Sequence, residues 1–165
     1  MPFDYEANLT AIKNCLDQHN TTTASPDLSS GMTTRVRNVV INDPDVAAIQ
    51  WDDLPAVYIR MQQATEEAAG LGPTGPSGVR KTKEAQIELV GMYHRDGAHT
   101  ASRTHLTEVY RLAENLEGVF QAEYTLSGTA LFCHPATTNF GAFQLGDGAR
   151  VKGFVTTLRA KYHFR

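Results

Sequence analysis

Between Thr104 and Phe120 the sequence THLTEVYRLAENLEGVF places Leu106, Val109, Tyr110, Ala113, Leu116 and Phe120 at the three-and-four spacing of one helical face. Glu108, Arg111, Glu114, Asn115 and Glu117 fall on the opposite face. This pattern predicts a helix with one side against a core and the other in solvent. Ser102 or Thr104 suits its cap, and Glu108 suits its positive end. A second helix is predicted over residues 4–18, with Tyr5, Leu9, Ile12 and Leu16 on one face, Asp4 as cap and Glu6 in the first turn.

Other runs have the marks of strands. Thr34–Ile41, TRVRNVVI, is rich in β-branched residues and stops at Asn42-Asp43-Pro44. The piece VAAIQWDDL follows, irregular or briefly helical, and carries the only tryptophan, Trp51. From Pro55 to Met61, Val57, Ile59 and Met61 alternate with Tyr58, Arg60 and Gln62. Glu84–His94 returns with Ala85, Ile87, Leu89, Gly91 and Tyr93 on one side. Residues 129–134 and 139–145 are two short strand candidates separated by Pro135, and Gly146-Asp147-Gly148 is a turn. The last run, Lys152–Phe164, sets Phe154, Leu158, Ala160, Tyr162 and Phe164 against Thr157, Arg159, Lys161 and His163. These elements predict a single α+β domain over residues 1–165: a mostly antiparallel sheet, an N-terminal helix and a second helix packed on the sheet.

Two polar segments interrupt the pattern. Residues 20–33 are mostly turn formers with little to bury, which predicts a mobile loop or one ordered on a neighbour. Residues 64–82, ATEEAAGLGPTGPSGVRKT, are acidic on the way out, rich in glycine and proline at the tip and basic on the way back. Between two strands they predict a hairpin with a long projecting arm. Ordering an arm that has no core costs roughly 1–2 kcal/mol of backbone entropy per residue, a cost that contacts from a neighbour can offset. Leu71 and Val79 are its candidate apolar contacts, and Arg80 and Lys81 its charged ones. A surface loop without a partner is the alternative.

With 165 residues, 41% of them hydrophobic and 20% charged, the chain has the makings of one ordinary globular domain. A net charge of −3 gives no general attraction to nucleic acid or anionic lipid. No apolar run approaches the roughly 18 residues of a membrane span, and the acidic start MPFDYEANL predicts synthesis in the cytoplasm without a signal peptide. Cys15 and Cys133 lack metal or redox spacing; buried free thiols are expected, with one disulfide as the other possibility.

Candidate chemistry is sparse. Gly70-Leu-Gly72-Pro-Thr-Gly75 fits GxGxxG in letters, but Pro73 and Pro76 deny it the helix that a dinucleotide site needs, so no cofactor is expected. His94, Asp96, His99 and His105 cluster without a spacing that puts two ligands on one helical turn, so no metal is expected either. Ser127-Gly128 and Cys133-His134 lack the local context of a nucleophile. The row Arg159, Lys161 and His163, with terminal Arg165, has two readings: a solvated sheet face, or a contact for an acidic partner or a DNA backbone.

In its sequence of elements the chain resembles the tail terminator (tail-completion) proteins of long-tailed bacteriophages. The likeness is carried by NLTAIKNCL, DLPAVYIRM, AQIELVGMYHRD, LTEVYRLAENLEGVF and GFVTTLRAKYHF. The resemblance implies a virion protein without enzymatic activity, forming a homo-oligomeric ring, a hexamer, on the last ring of the tail tube protein. Such a ring ends tube polymerisation, meets the head-closure or connector protein and lets DNA pass; no membrane is involved. Other readings are a head-closure or connector protein, or a small enzyme using His94, Asp96 and His134.

Overall fold

The computed structural model describes residues 4–44, 48–68, 81–93, 102–144 and 150–164. Helix α1 spans Tyr5–Gln18, and Asp4 caps it by accepting a hydrogen bond from Ala7 N at 2.9 Å. Strands β1 (Asn38–Ile41), β2 (Ala56–Ala68) and β3 (Lys81–Tyr93) follow, then helix α2 (Ser102–Ala122) and strands β4 (Phe132–Gln144) and β5 (Arg150–Phe164). They form one five-stranded sheet in the order β1-β2-β3-β5-β4. Only the β1–β2 pair is parallel. The α+β class read from the pattern is the architecture observed.

Both helices lie on one face of the sheet. Ile12 and Leu16 of α1 and Val109, Leu112, Leu116, Val119 and Phe120 of α2 share a core with Val57, Ile59, Ile87, Leu89, Phe154 and Leu158. Removing these side chains from water is the main driving force for folding. A second, smaller core sits on the other face, where Leu54, Ala56, Tyr58, Val90, Met92 and Val151 pack with Ile49, Trp51 and Phe143. This explains the tryptophan: residues 48–54, including a 3-10 turn at Trp51–Asp53, pack on the sheet face opposite the helices.

Several expectations are corrected. Tyr5 and Tyr110, both placed on buried faces, are 44% exposed, while Glu108, placed on the solvent face, is only 2% exposed. Ser102 and Thr104 are both already helical, so neither is the cap of α2. The strand expected from Thr34 begins at Asn38, because Val36 N donates to Ser29 Oγ and Arg37 N to Pro55 O. The two strands expected around Pro135 are one thirteen-residue strand, which absorbs the proline through a register shift between Pro135 and Thr137. The projecting arm is shorter than 64–82, since Ala64–Ala68 pair in register with Ala85–Lys81; the rest of it, residues 69–80, lies outside the described residues.

The segment 20–33 is not a loop waiting for a neighbour. Glu108 accepts hydrogen bonds from Thr33 N (2.9 Å) and Thr33 Oγ1 (3.1 Å), Arg111 donates to Gly31 O (2.7 Å), and Asn115 donates to Leu28 O (3.1 Å) and Ser30 O (2.9 Å). Three polar residues at helical spacing thus clamp the segment to α2 while Leu28 plugs the core. Asp27 and Arg35 brace it from the other side with a two-pronged ion pair at 2.8 and 2.9 Å.

Candidate assembly surface

The sheet face turned away from the helices carries side chains from alternate positions of β2, β3 and β5. Arg60 reaches Glu88 at 2.5 Å and Asp43 at 2.9 Å. Along β3 and β5, Glu84 stands opposite Lys161, Gln86 opposite Arg159 and Glu88 opposite Thr157. Arg159 is exposed and Lys161 half-buried. Of the basic row expected here, Lys161 therefore stands opposite a carboxylate, Glu84, while Arg159 faces Gln86 and Glu88 is taken by Arg60. Directly opposed charges of unlike sign stabilise a sheet and cancel much of each other's outward field. That arrangement suits a solvated face better than a strip for a DNA backbone.

The other expected contact residues are not brought together. Leu71, Val79, Arg80 and Arg165 lie outside the described residues, as do the side chains of Lys81 and His163; in the backbone Lys81 pairs with Phe164 at the end of the sheet. His94, Asp96 and His99 also lie outside, together with the GxGxxG letters and the side chain of His105. Cys133 and His134 point to opposite sides of β4: the thiol is buried in the core, and the imidazole is exposed with its ring 5.4 Å from that of Phe132. Both cysteines are free and buried. Burial pushes the Cys15 and Cys133 thiols up to about 12, helped at Cys15 by the charge of Glu123 and at Cys133 by Cys15.

Among the described residues the outer edge of β4 has no strand partner. This strand pairs with β5 on one side only, and its thirteen residues include no Asp, Glu, Lys or Arg. Proteins guard open edges with charge, proline, bulges or shortness. Here Pro135 and the register shift protect the start, and no such device follows from Thr137 to Gln144. The opposite edge contrasts with it: β1 has four residues, with Arg35 and Arg37 before it and Asp43 after it.

Beside this edge runs one stripe of α2, Tyr110, Glu114, Glu117 and Gln121, at four-three-four spacing. The Tyr110 ring meets Phe140 edge-on, with centroids 4.8 Å apart, and the two rings are 44% and 49% exposed. Thr138 Oγ1 donates to Glu117 Oε1 at 3.0 Å. Past it a groove of about 320 Å³ is lined by Glu117, Gln121 and residues 134–138. An uncharged strand edge flanked by exposed aromatic rings and two carboxylates offers main-chain hydrogen bonds, apolar contact and attraction for a cation. The sequence signal was present, a run with no charge from Pro135 to Gln144, but reading Pro135 as a break hid its length.

Comparison of the chain with protein-family models and with curated proteins finds no match.

Proposed function

We propose that this protein is a structural subunit of a phage virion: it closes into a ring, a hexamer, on the end of the tail tube, stops tube growth and presents the surface that joins the head. The observation that carries the assembly part is the β4 edge. Along Thr137–Gln144 the main-chain groups of alternate residues point away from β5 with no strand partner among the described residues, beside exposed Phe140, and no charge in this run repels another chain. Burying such an edge against a neighbour satisfies its donors and acceptors and removes aromatic surface from water. A head-to-tail contact of this kind forms a closed ring when the rotation between subunits fits.

The identity of the assembly rests on the resemblance of the elements to tail terminator proteins. The order of elements in the fold agrees with that pattern. It has an N-terminal helix, two thirteen-residue strands paired as a hairpin, a helix across the sheet and two closing strands. In this reading the protein is not an enzyme. Its partners are its own copies, the tail tube protein below and the head-closure or connector protein above, and DNA passes through the ring.

The test is capping. Purified protein added to growing tubes of the cognate tail tube protein is expected to arrest elongation, with a ring visible on tube ends in electron micrographs. Tubes that lengthen at an unchanged rate, with bare ends, contradict the proposal.

A further inference from the structure

We infer that the β4 edge and the α2 stripe beside it receive the returning limb of the 69–80 insert, Ser77–Arg80, from a second copy of this chain. The inference rests on the ring reading and names the partner of its assembly surface.

Chemistry selects the limb. The acceptor side has two carboxylates, Glu114 and Glu117, and no Lys or Arg among Tyr110, Glu114, Glu117, Gln121 and residues 136–144. Residues 69–80, AGLGPTGPSGVR, contain no acid; their one charge is Arg80, and Lys81 follows it. Strand addition needs consecutive main-chain N–H groups. Pro73 and Pro76 remove theirs around the tip; Ala69–Gly72 and Ser77–Arg80 each keep four in a row, and of these two runs only the second carries a positive charge, Arg80. Val79 can cover the Tyr110–Phe140 ring pair, and Arg80 and Lys81 bring positive charge to the carboxylates.

Register decides between the same copy and another. Lys81, where the insert rejoins the sheet, is level with Phe164 of β5; Thr137 is level with Thr157 and Gln144 with Arg150. The unguarded edge therefore starts seven residues from the insert's root and ends fourteen residues from it, roughly 23 to 46 Å at about 3.3 Å per residue. The insert leaves from Ala68 and returns to its cross-strand partner Lys81, so each limb has about six residues and reaches roughly 20 Å. The insert of the same copy falls short of Thr137, so residues 77–80 can reach this edge only from another copy. Donor and acceptor lie on different parts of one molecule, which makes the contact head-to-tail.

The experiment uses two single-cysteine additions to the full chain, Val79→Cys and the exposed Ala142→Cys, mixed under mild oxidation, with mass photometry of the unmodified protein alongside. The expected result is a disulfide-linked dimer in the mixture and in neither variant alone. A second arm tests the charges: Glu114→Lys lowers the ring population on the order of ten-fold, and Arg80→Glu in the same chain restores it. Rings without the mixed dimer and without rescue overturn this inference and leave the ring reading standing. Cross-linking of Ala142→Cys with itself overturns it in favour of edge-to-edge pairing. A wild-type protein that forms no rings removes the ring reading and this inference with it.

Discussion

Glu108 shows how one residue can invert its apparent role. By helical spacing it belongs to the polar face of α2, yet it is 2% exposed because Thr33 supplies both a backbone and a side-chain donor. The partner is 75 residues away in sequence, so no local pattern could reveal it. Glu108→Ala leaves both Thr33 donors unpaired, removes the carboxylate that Arg111 Nη1 meets at 3.1 Å, and is expected to cost roughly 1–3 kcal/mol in denaturant unfolding, with faster amide exchange at Thr33. Wild-type stability and exchange would show that the clamp contributes nothing. Both cysteines are free and buried, as expected from their lack of metal or redox spacing. Both are pushed up to about 12, a raised value that favours the neutral thiol in the folded state. Their contribution is complete below the ordinary thiol value of about 8.5 and fades as pH rises above it, since only the unfolded chain then ionises freely. Native protein at pH 8 is therefore expected to react with a thiol reagent at least ten-fold more slowly than denatured protein, and Cys133 more slowly than Cys15. Equal rates in the two states contradict the burial.

At the scale of elements, the sequence pattern located both helices and four of the five strands, though not every end, and split β4 in two. Helix α2 was the clearest, because its apolar face repeats over five turns and meets β3, β4 and β5. Leu116, with no exposure, is expected to cost ~2–5 kcal/mol on change to Ala, and half-buried Leu106 less. A loss below about half a kcal/mol at Leu116 would place the helix off the sheet. The 20–33 segment was misread because its stability comes from side chains of α2 rather than from its own apolar content. The Arg35 hydrogen bonds hold Asp27 below the ordinary aspartate value. A lowered carboxylate stabilises the fold above the unfolded value of about 3.9, and this contribution is lost as pH falls through the lowered one. Asp27→Asn is expected to flatten the fall in stability below about pH 4 relative to wild type, as read by acid titration in urea. An unchanged acid limb would mean that this ion pair does not brace the segment. Strand β4 was divided at Pro135 for a sound local reason, since proline removes a ladder hydrogen bond. A register shift at the edge of the sheet makes the residue tolerable there.

For the whole molecule, the sequence was enough for the α+β class and for the hairpin between β2 and β3. It did not show which edge of the sheet is left open, because strand order depends on pairings between β3, β5 and β4 that are set by tertiary packing. That order puts a long uncharged strand at one edge and a four-residue strand flanked by charge at the other, an asymmetry suited to head-to-tail assembly. It also leaves Arg159 and Lys161 on a face shared with Glu84 and Glu88, so the basic row singled out in the sequence is a weaker contact candidate than the edge. A lysine on that edge would supply the missing guard. Phe140→Lys is expected to leave a folded monomer, because the side chain is half-exposed, while abolishing assembly. The most direct measurement is the mass distribution of the purified protein at rising concentration, wild type beside Phe140→Lys, by native mass spectrometry. The account predicts a closed species of six chains for the wild type and a single chain for the variant. A wild-type protein that stays a monomer throughout, or a variant that forms the same ring, contradicts it.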